Sequence, residues 1–570
     1  MSDDTTEKAD ISPFVDPNGM MMSDVLERLL KLDLPDTRRR DLRSAIRSVC
    51  RLVDRAVTEV PANINWVHVR LRRVHPIQAG ISKKRLKNIK SDVIKALEVC
   101  GASRDRADWL RAPSPDWKQL MTNIPDKHDR WKLSQLAQFC TGLNVEPQDV
   151  TDAHIKQLLQ TLEEETFVNK PASKVGSAVS VWNKLRTSLP HWPQQSLKFP
   201  RAKEPWTIPL SKFPQSFQDD VDQWLNRLAN PDILSADGPM KPVRKSTIKH
   251  RRFQIQEIAS AIMKSGVPIK QITDLSIIVD LTHFKAGLRY MMGRFDDKPT
   301  EAIHGLAMGV TSIAKYHVKA DDAHVTELKG ICKRLNLEVD GLRPKNQERL
   351  AQLDDDENLA RLLHLPGQLL IEAKKAGRRN HRRALLVQAA LAIEILLHAP
   401  MRVGNLCRLH LDRHIKRMRI KGADCILLSI PGYEVKNNKP LMFELNGDAV
   451  SLFDFYMAEH RPTLLRTPSS YVFPAQNGEH KAAHTLSGLI KSTIFEFTGL
   501  TIHAHLFRSI AGKVHCMIHP GDFLTLGHAI GDSLRTAMKS YAQFEQQNAV
   551  RHYQASVTEA RRRLRGKSDG

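Results

Sequence analysis

No apolar run in this 570-residue chain approaches the ~18 residues of a membrane-spanning helix, and the opening MSDDTTEKAD has no signal-peptide pattern. Both absences point to a protein of the cytoplasm, with no membrane partner. Cysteine is scarce: Cys50, Cys100, Cys140, Cys332, Cys407, Cys425 and Cys516 are scattered, and no two form a C-x-x-C pair. That spacing argues against a zinc site or a disulfide framework and fits a reducing compartment. Acidic residues are also short, 63 Asp and Glu against 86 Lys and Arg, for a net charge of +23. A polyanion is the natural partner of such a chain, and nucleic acid is the leading one.

What is present is mostly helix. The length suggests three or four domains. Residues 1–21 lack periodicity and read as a disordered arm. A basic helical module follows over 22–110, where Ser82 is placed to cap a helix whose apolar stripe is Leu86, Ile89, Val93, Ile94 and Leu97. A second helical module spans 115–190, with a helix start at Thr151-Asp152. Proline recurs at 193, 200, 205, 209 and 214, so 191–214 is a linker or extended crossing segment. A third helical module runs over 215–340, with Ile255, Ile258 and Ile262 as a buried stripe behind Lys249, His250, Arg251 and Arg252.

The C-terminal domain, 345–570, changes character. LVQAALAIEILLHAP is apolar almost all round and predicts a buried helix stopped at Pro400. DCILLSIPGYEVKNNKPLMFELN alternates as strands do, with a turn at Asn437-Asn438 and Lys436 at its tip. The fold class is therefore mainly α, multi-domain, with a small β-hairpin or sheet in the last domain.

In that domain HAPMRVGNLCRL supplies Arg402, HAHLFRSIAG supplies His505 and Arg508, and LGHAIGDSLRTAMKSY supplies His528 and Tyr541. A phosphodiester is anionic and resists attack, so an enzyme working on it without metal needs fixed cations and a nucleophile around one phosphorus. These residues form such a set. His505 and Arg508 lie three apart, which puts both on one helix face. No cofactor and no metal site is expected.

The order Arg402, Lys436, His505-Leu506-Phe507-Arg508, Leu526-Gly527-His528, Tyr541 resembles the catalytic set of the tyrosine recombinases, also called the phage integrase family. Residues 215–340 resemble that family's SAM-like core-binding domain more loosely. The resemblance implies a site-specific DNA recombinase or integrase, nucleoid-associated in the cytoplasm. It would act on double-stranded DNA, as a homotetramer on two sites. It implies that Arg402 and Arg508 clamp the scissile phosphate, where planar guanidinium forks match its oxygens. His505 would act as general acid and base, His528 would bind a phosphate oxygen or aid proton transfer, and Lys436 would protonate the leaving 5′ oxygen. Tyr541 would be the nucleophile and form a 3′-phosphotyrosine.

Several alternatives stay open. Lys439 rivals Lys436, Tyr553 rivals Tyr541, and Arg402 could merely cap the preceding helix. The stretch from His528 to Tyr541 is several residues longer than the family usually has. Asn405 stands where an acid is common, and Ser509 where a histidine is common. The basic C-terminal stretch AVRHYQASVTEARRRLRG could reach a neighbouring protomer or be a frayed tail. Competing functions are type IB topoisomerase-like relaxation, a DNA-binding protein of the same fold without catalysis, and a metal-dependent nuclease.

Overall fold

The computed structural model describes residues 19–103, 112–200, 205–232, 234, 239, 241–337, 341–375, 380–420 and 422–565. The expected arm over 1–21 falls outside these up to residue 18. Its end is part of the fold: Met21 bridges Pro61, and Met20 packs on the first core. The chain divides into two compact units, Met1–Pro200 with Asp340–Gly570, and Arg201–Val339.

In the first unit, residues 20–102 enclose one apolar core and residues 117–199 another. Ser82 accepts a hydrogen bond from the Arg85 amide at 3.0 Å, capping the helix Lys83–Val99, whose apolar stripe is buried. Thr151 caps Asp152–Glu164 together with His154. The stretch expected as a linker is shared between cores. Trp192 and Leu197 are buried with the second module, and Phe213 is buried in the second unit's core. Proline limits helix there to a 3₁₀ turn at Leu210–Lys212, but aromatic anchors still hold the chain down.

The second unit packs helices including Gln215–Ala229, Lys245–Lys264, Leu281–Gly293, Glu301–Ile313 and Asp322–Leu335 around one core. Ile255, Ile258 and Ile262 are buried in it. Two of the four cations at the start of the helix Lys245–Lys264 are engaged within this unit, Arg251 with Gln254 and the Gly305 carbonyl, and Arg252 with Asp222.

The C-terminal part of the first unit is built on helix α1, His381–His398, whose residues from Val387 to Ile393 are all buried. Asn380 caps its start, and Pro400 follows its end, where a helix cannot continue. Next come α2 (Val403–Cys407) and three antiparallel strands, β1 (Ile415–Ile420), β2 (Ala423–Ile430) and β3 (Leu441–Asn446), in the order β1-β2-β3. Leu428 stands opposite Ile415 on one side and Phe443 on the other. The sequence reading found one hairpin; β1 and its tight turn into β2 were missed, because Lys416, Arg417 and Arg419 break the apolar alternation. The other connection is wider than the two-residue turn expected at Asn437-Asn438. It spans 431–440 with a short 3₁₀ turn at Gly432–Glu434, and only Asn438 is left-handed, at φ 56°. The chain then forms α3 (Ala483–Thr498), α4 (Phe507–Ile518), α5 (Phe523–Ile530) and α6 (Leu534–Arg565).

The N-terminal module meets this part at α3. The His75 ring stands edge-on to Phe495, with centroids 5.1 Å apart. Lys83 pairs with Glu496 at 3.6 Å and lies over the Phe497 ring. No helix among the described residues is long and apolar enough to cross a membrane.

Candidate active site

Arg402 leaves the end of α1 through Pro400 and Met401 and forms the N-cap of α2. Arg508 lies in the first turn of α4 and is almost wholly buried. A buried guanidinium needs partners for its donors. Arg508 Nη1 donates to the Ile530 carbonyl at 2.5 Å and more weakly to the Pro400 carbonyl at 3.4 Å. Its Nη2 donates to Asp532 Oδ2 at 2.5 Å, and Arg402 Nη2 donates to Asp532 Oδ1 at 3.2 Å. Two arginines from separate elements thus converge on the two oxygens of one carboxylate.

Asp532 stands in the linker between α5 and α6. Gly531 before it is left-handed, φ +67°, which turns the chain back after α5. The Asp532 amide donates to the Gly527 carbonyl at 2.8 Å. Asn437, beside Lys436, donates through Nδ2 to the Gly531 carbonyl at 2.5 Å. The loop carrying Lys436 is thereby tied to the linker carrying Asp532.

His505 sits in the short 3₁₀ turn Ala504–Leu506 that leads into α4, on the exposed side of the cluster. Its pKa is held below the ordinary histidine value by partial loss of hydration, then by the positive charges of Arg508, Arg402 and Lys436. The three cations therefore all lie within electrostatic reach of this ring. Lys436 and Lys439 are both exposed, and Lys436 is the one that His505 feels. His528 is exposed in the last turn of α5, two residues before the Ile530 carbonyl that Arg508 holds.

Tyr541 lies on α6 and packs against α4, 4% exposed, with Cys516, Leu526, Ile530 and Ala537. A Cβ at Gly512 of α4 would lie 2.7 Å from its ring, so this glycine leaves the space the tyrosine fills. Burial pushes the phenol up to about 12; Arg508 and Arg402 draw it down and Asp532 pushes it up. Tyr541 is therefore electrostatically part of the cluster. Tyr553 is 71% exposed and twelve residues further along α6, about 18 Å at the helical rise.

Arg402 and Arg508 meet at Asp532, Tyr541 lies within electrostatic reach of all three, and His505 lies within reach of both arginines and Lys436, while His528 is exposed on α5. Asn405 is buried, and its Nδ2 has no hydrogen-bond partner among the described residues. Ser509 is buried as well. Sequence reasoning missed Asp532, Gly512 and Asn437. The one signal was the long stretch after LGH, which contains Asp532 but does not reveal its contacts.

Residues 368–516 match the sequence profile of the phage integrase family. The matched segment contains Arg402, Lys436, His505 and Arg508 and ends before His528 and Tyr541. No curated protein matches the chain. Among solved structures, the chain is similar to the XerH site-specific recombinase bound to difH substrate, at 17% identity and a TM-score of 0.34, over 54% of this chain and 79% of that one. It is also similar to a lambda integrase(75-356) dimer bound to a COC′ core site, at 12% identity and a TM-score of 0.34, over 58% and 95%. The XerA recombinase gives 13% identity and a TM-score of 0.24, over 58% and 98%.

Proposed function

Because residues 368–516 match the sequence profile of the phage integrase family, we propose that the chain is a site-specific DNA recombinase that cuts and rejoins strands through Tyr541. The observation that carries this reading is the convergence of Arg402 and Arg508 on one pair of anionic oxygens. A phosphate presents the same two-oxygen edge to two guanidinium forks.

In the proposed reaction the arginines hold the scissile phosphate and offset the charge that grows on its oxygens. His505, neutral near pH 7, takes the Tyr541 proton. The phenolate oxygen bonds to phosphorus, and the bond from phosphorus to the 5′ oxygen breaks. Lys436, on the exposed 431–440 loop, delivers a proton to that leaving oxygen. His528 reaches a phosphate oxygen from the rim. The 3′-phosphotyrosine keeps the ester's bond energy, so a 5′-hydroxyl of another strand reverses the step with no ATP and no metal ion. Double-stranded DNA is the substrate, and four protomers on two sites are the working assembly. The helical region 215–340 acts as the core-binding DNA domain, 345–570 as the catalytic domain, and the basic modules 22–110 and 115–190 add DNA contacts.

The test is covalent capture. The full-length protein is incubated with a library of nicked suicide duplexes of random sequence, and protein-linked DNA is recovered after denaturation. Wild type and Tyr553→Phe yield adducts, and Tyr541→Phe yields none. An adduct surviving Tyr541→Phe would overturn the nucleophile assignment. No adduct from the wild type would favour a DNA-binding protein without catalysis, and dependence on divalent cation would favour a nuclease. Recombination between two captured sites on one plasmid, against relaxation alone, separates a recombinase from a topoisomerase.

A further inference from the structure

We propose that Asp532 is a built-in stand-in for the scissile phosphate: its carboxylate occupies the arginine pair in the free protein, and only DNA that displaces it is cleaved. The inference rests on the phosphate-clamping role proposed for Arg402 and Arg508.

The geometry carries it. The two carboxylate oxygens are divided between the two guanidiniums, Oδ1 to Arg402 and Oδ2 to Arg508, as two phosphate oxygens would be. The Asp532 side chain is 12% exposed and shares its site with Arg508 at 7%, which leaves little room for a second anion beside it. Asp532 is also carried on the short linker between α5 and α6. It follows the left-handed Gly531, lies four residues after His528 and nine before Tyr541, and falls within the stretch that is longer than the family pattern.

The consequence is selectivity. A resident anion subtracts the same free energy from every phosphate that competes with it. Without that competition, weakly and strongly held DNA would both fill the clamp. With it, occupancy rises only where flanking contacts make up the difference, so the reaction rate follows DNA affinity. Asp532 would thus determine specificity without touching a base.

The full-length protein tests this in two ways. The first measures inorganic phosphate binding by its effect on Tm. Asp532→Asn keeps the shape and removes the charge, and should bind phosphate about tenfold more tightly than wild type. Asp532→Glu keeps the charge and should stay within about threefold of wild type. Adding Arg402→Ala to Asp532→Asn should abolish the gain. Phosphate binding by Asp532→Asn that is no tighter than wild type would overturn the proposal. The second repeats the covalent capture, where Asp532→Asn should give more adduct spread over a wider range of sequences. Less adduct with unchanged sequence preference would mean that Asp532 only positions the arginines, and would also overturn it. Tighter phosphate binding without adduct from either protein would leave the stand-in role supported and remove strand transfer.

Discussion

Arg402 and Arg508 share a carboxylate but not an environment, and their substitutions should separate. Arg508 is buried and holds two carbonyls besides Asp532, so Arg508→Ala strands a nearly buried carboxylate and two acceptors. It should cost about 3 kcal/mol or more in a denaturation experiment. Arg402, with a side chain 27% exposed, should cost under about 1 kcal/mol on truncation. Both should abolish covalent capture while leaving DNA affinity within about tenfold, since each removes one cation from a chain of net charge +23. If the two variants lost equal stability, the burial difference would not govern this pair.

Tyr541 gives a pH prediction of definite sign. Its neutral form is favoured in the fold, with a pKa raised from 10.0 to about 12. The tyrosine therefore imposes no penalty below pH ~10, and folded stability falls as pH rises toward about 12, by at most about 3 kcal/mol. Tyr541→Phe should flatten that part of the stability curve. His505 runs the other way. Because its pKa is lowered, it is neutral at pH 7, and capture should hold steady as pH falls from about 8 to about 6.5 before declining.

At the level of elements, the contact between α4 and α6 decides where Tyr541 stands. Gly512→Ala puts a methyl 2.7 Å from the Tyr541 ring. Overpacking of this kind costs about 1–3 kcal/mol. A modest fall in Tm together with a loss of capture of at least about tenfold is expected, because a ring displaced by an ångström no longer reaches the phosphorus. Retained capture would show that α6 moves to accept the extra carbon. Element existence was largely readable along the chain: the helix around Leu391, the cap at Ser82 and the strand at Cys425–Ile430 follow from periodicity and capping chemistry. Strand β1 was not, since an edge strand carrying Lys416, Arg417 and Arg419 lacks the apolar alternation that a half-buried strand shows.

For the whole molecule, the charge of +23 is the governing quantity. Binding to duplex DNA should fall with a log-log salt slope of about −0.9 per phosphate neutralised, or roughly a thousandfold or more between 50 and 200 mM salt for six or more contacts. Fluorescence anisotropy of a labelled duplex measures this. A slope near zero would remove DNA as the principal partner. The count of free cations is lower than composition suggests, because Arg251, Arg252, Lys83, Lys132 and Lys184 are already paired with polar or acidic neighbours within their own units.

Composition and residue order were enough to point to a polyanion as partner and to single out Arg402, His505 and Arg508 as candidates. Charge balance and short-range helix spacing are properties of the chain itself, and they survive without knowledge of any long-range contact. What the order of residues could not reveal is that Asp532 lies between the two arginines, that Asn437 is tied to Gly531, or that Gly512 makes room for Tyr541. Each joins residues 24 to 130 positions apart, and such distances close only when helices and sheet pack on a common core. The long stretch after LGH therefore looked like a spacing defect in the sequence, and in three dimensions it places an anion at the centre of the site.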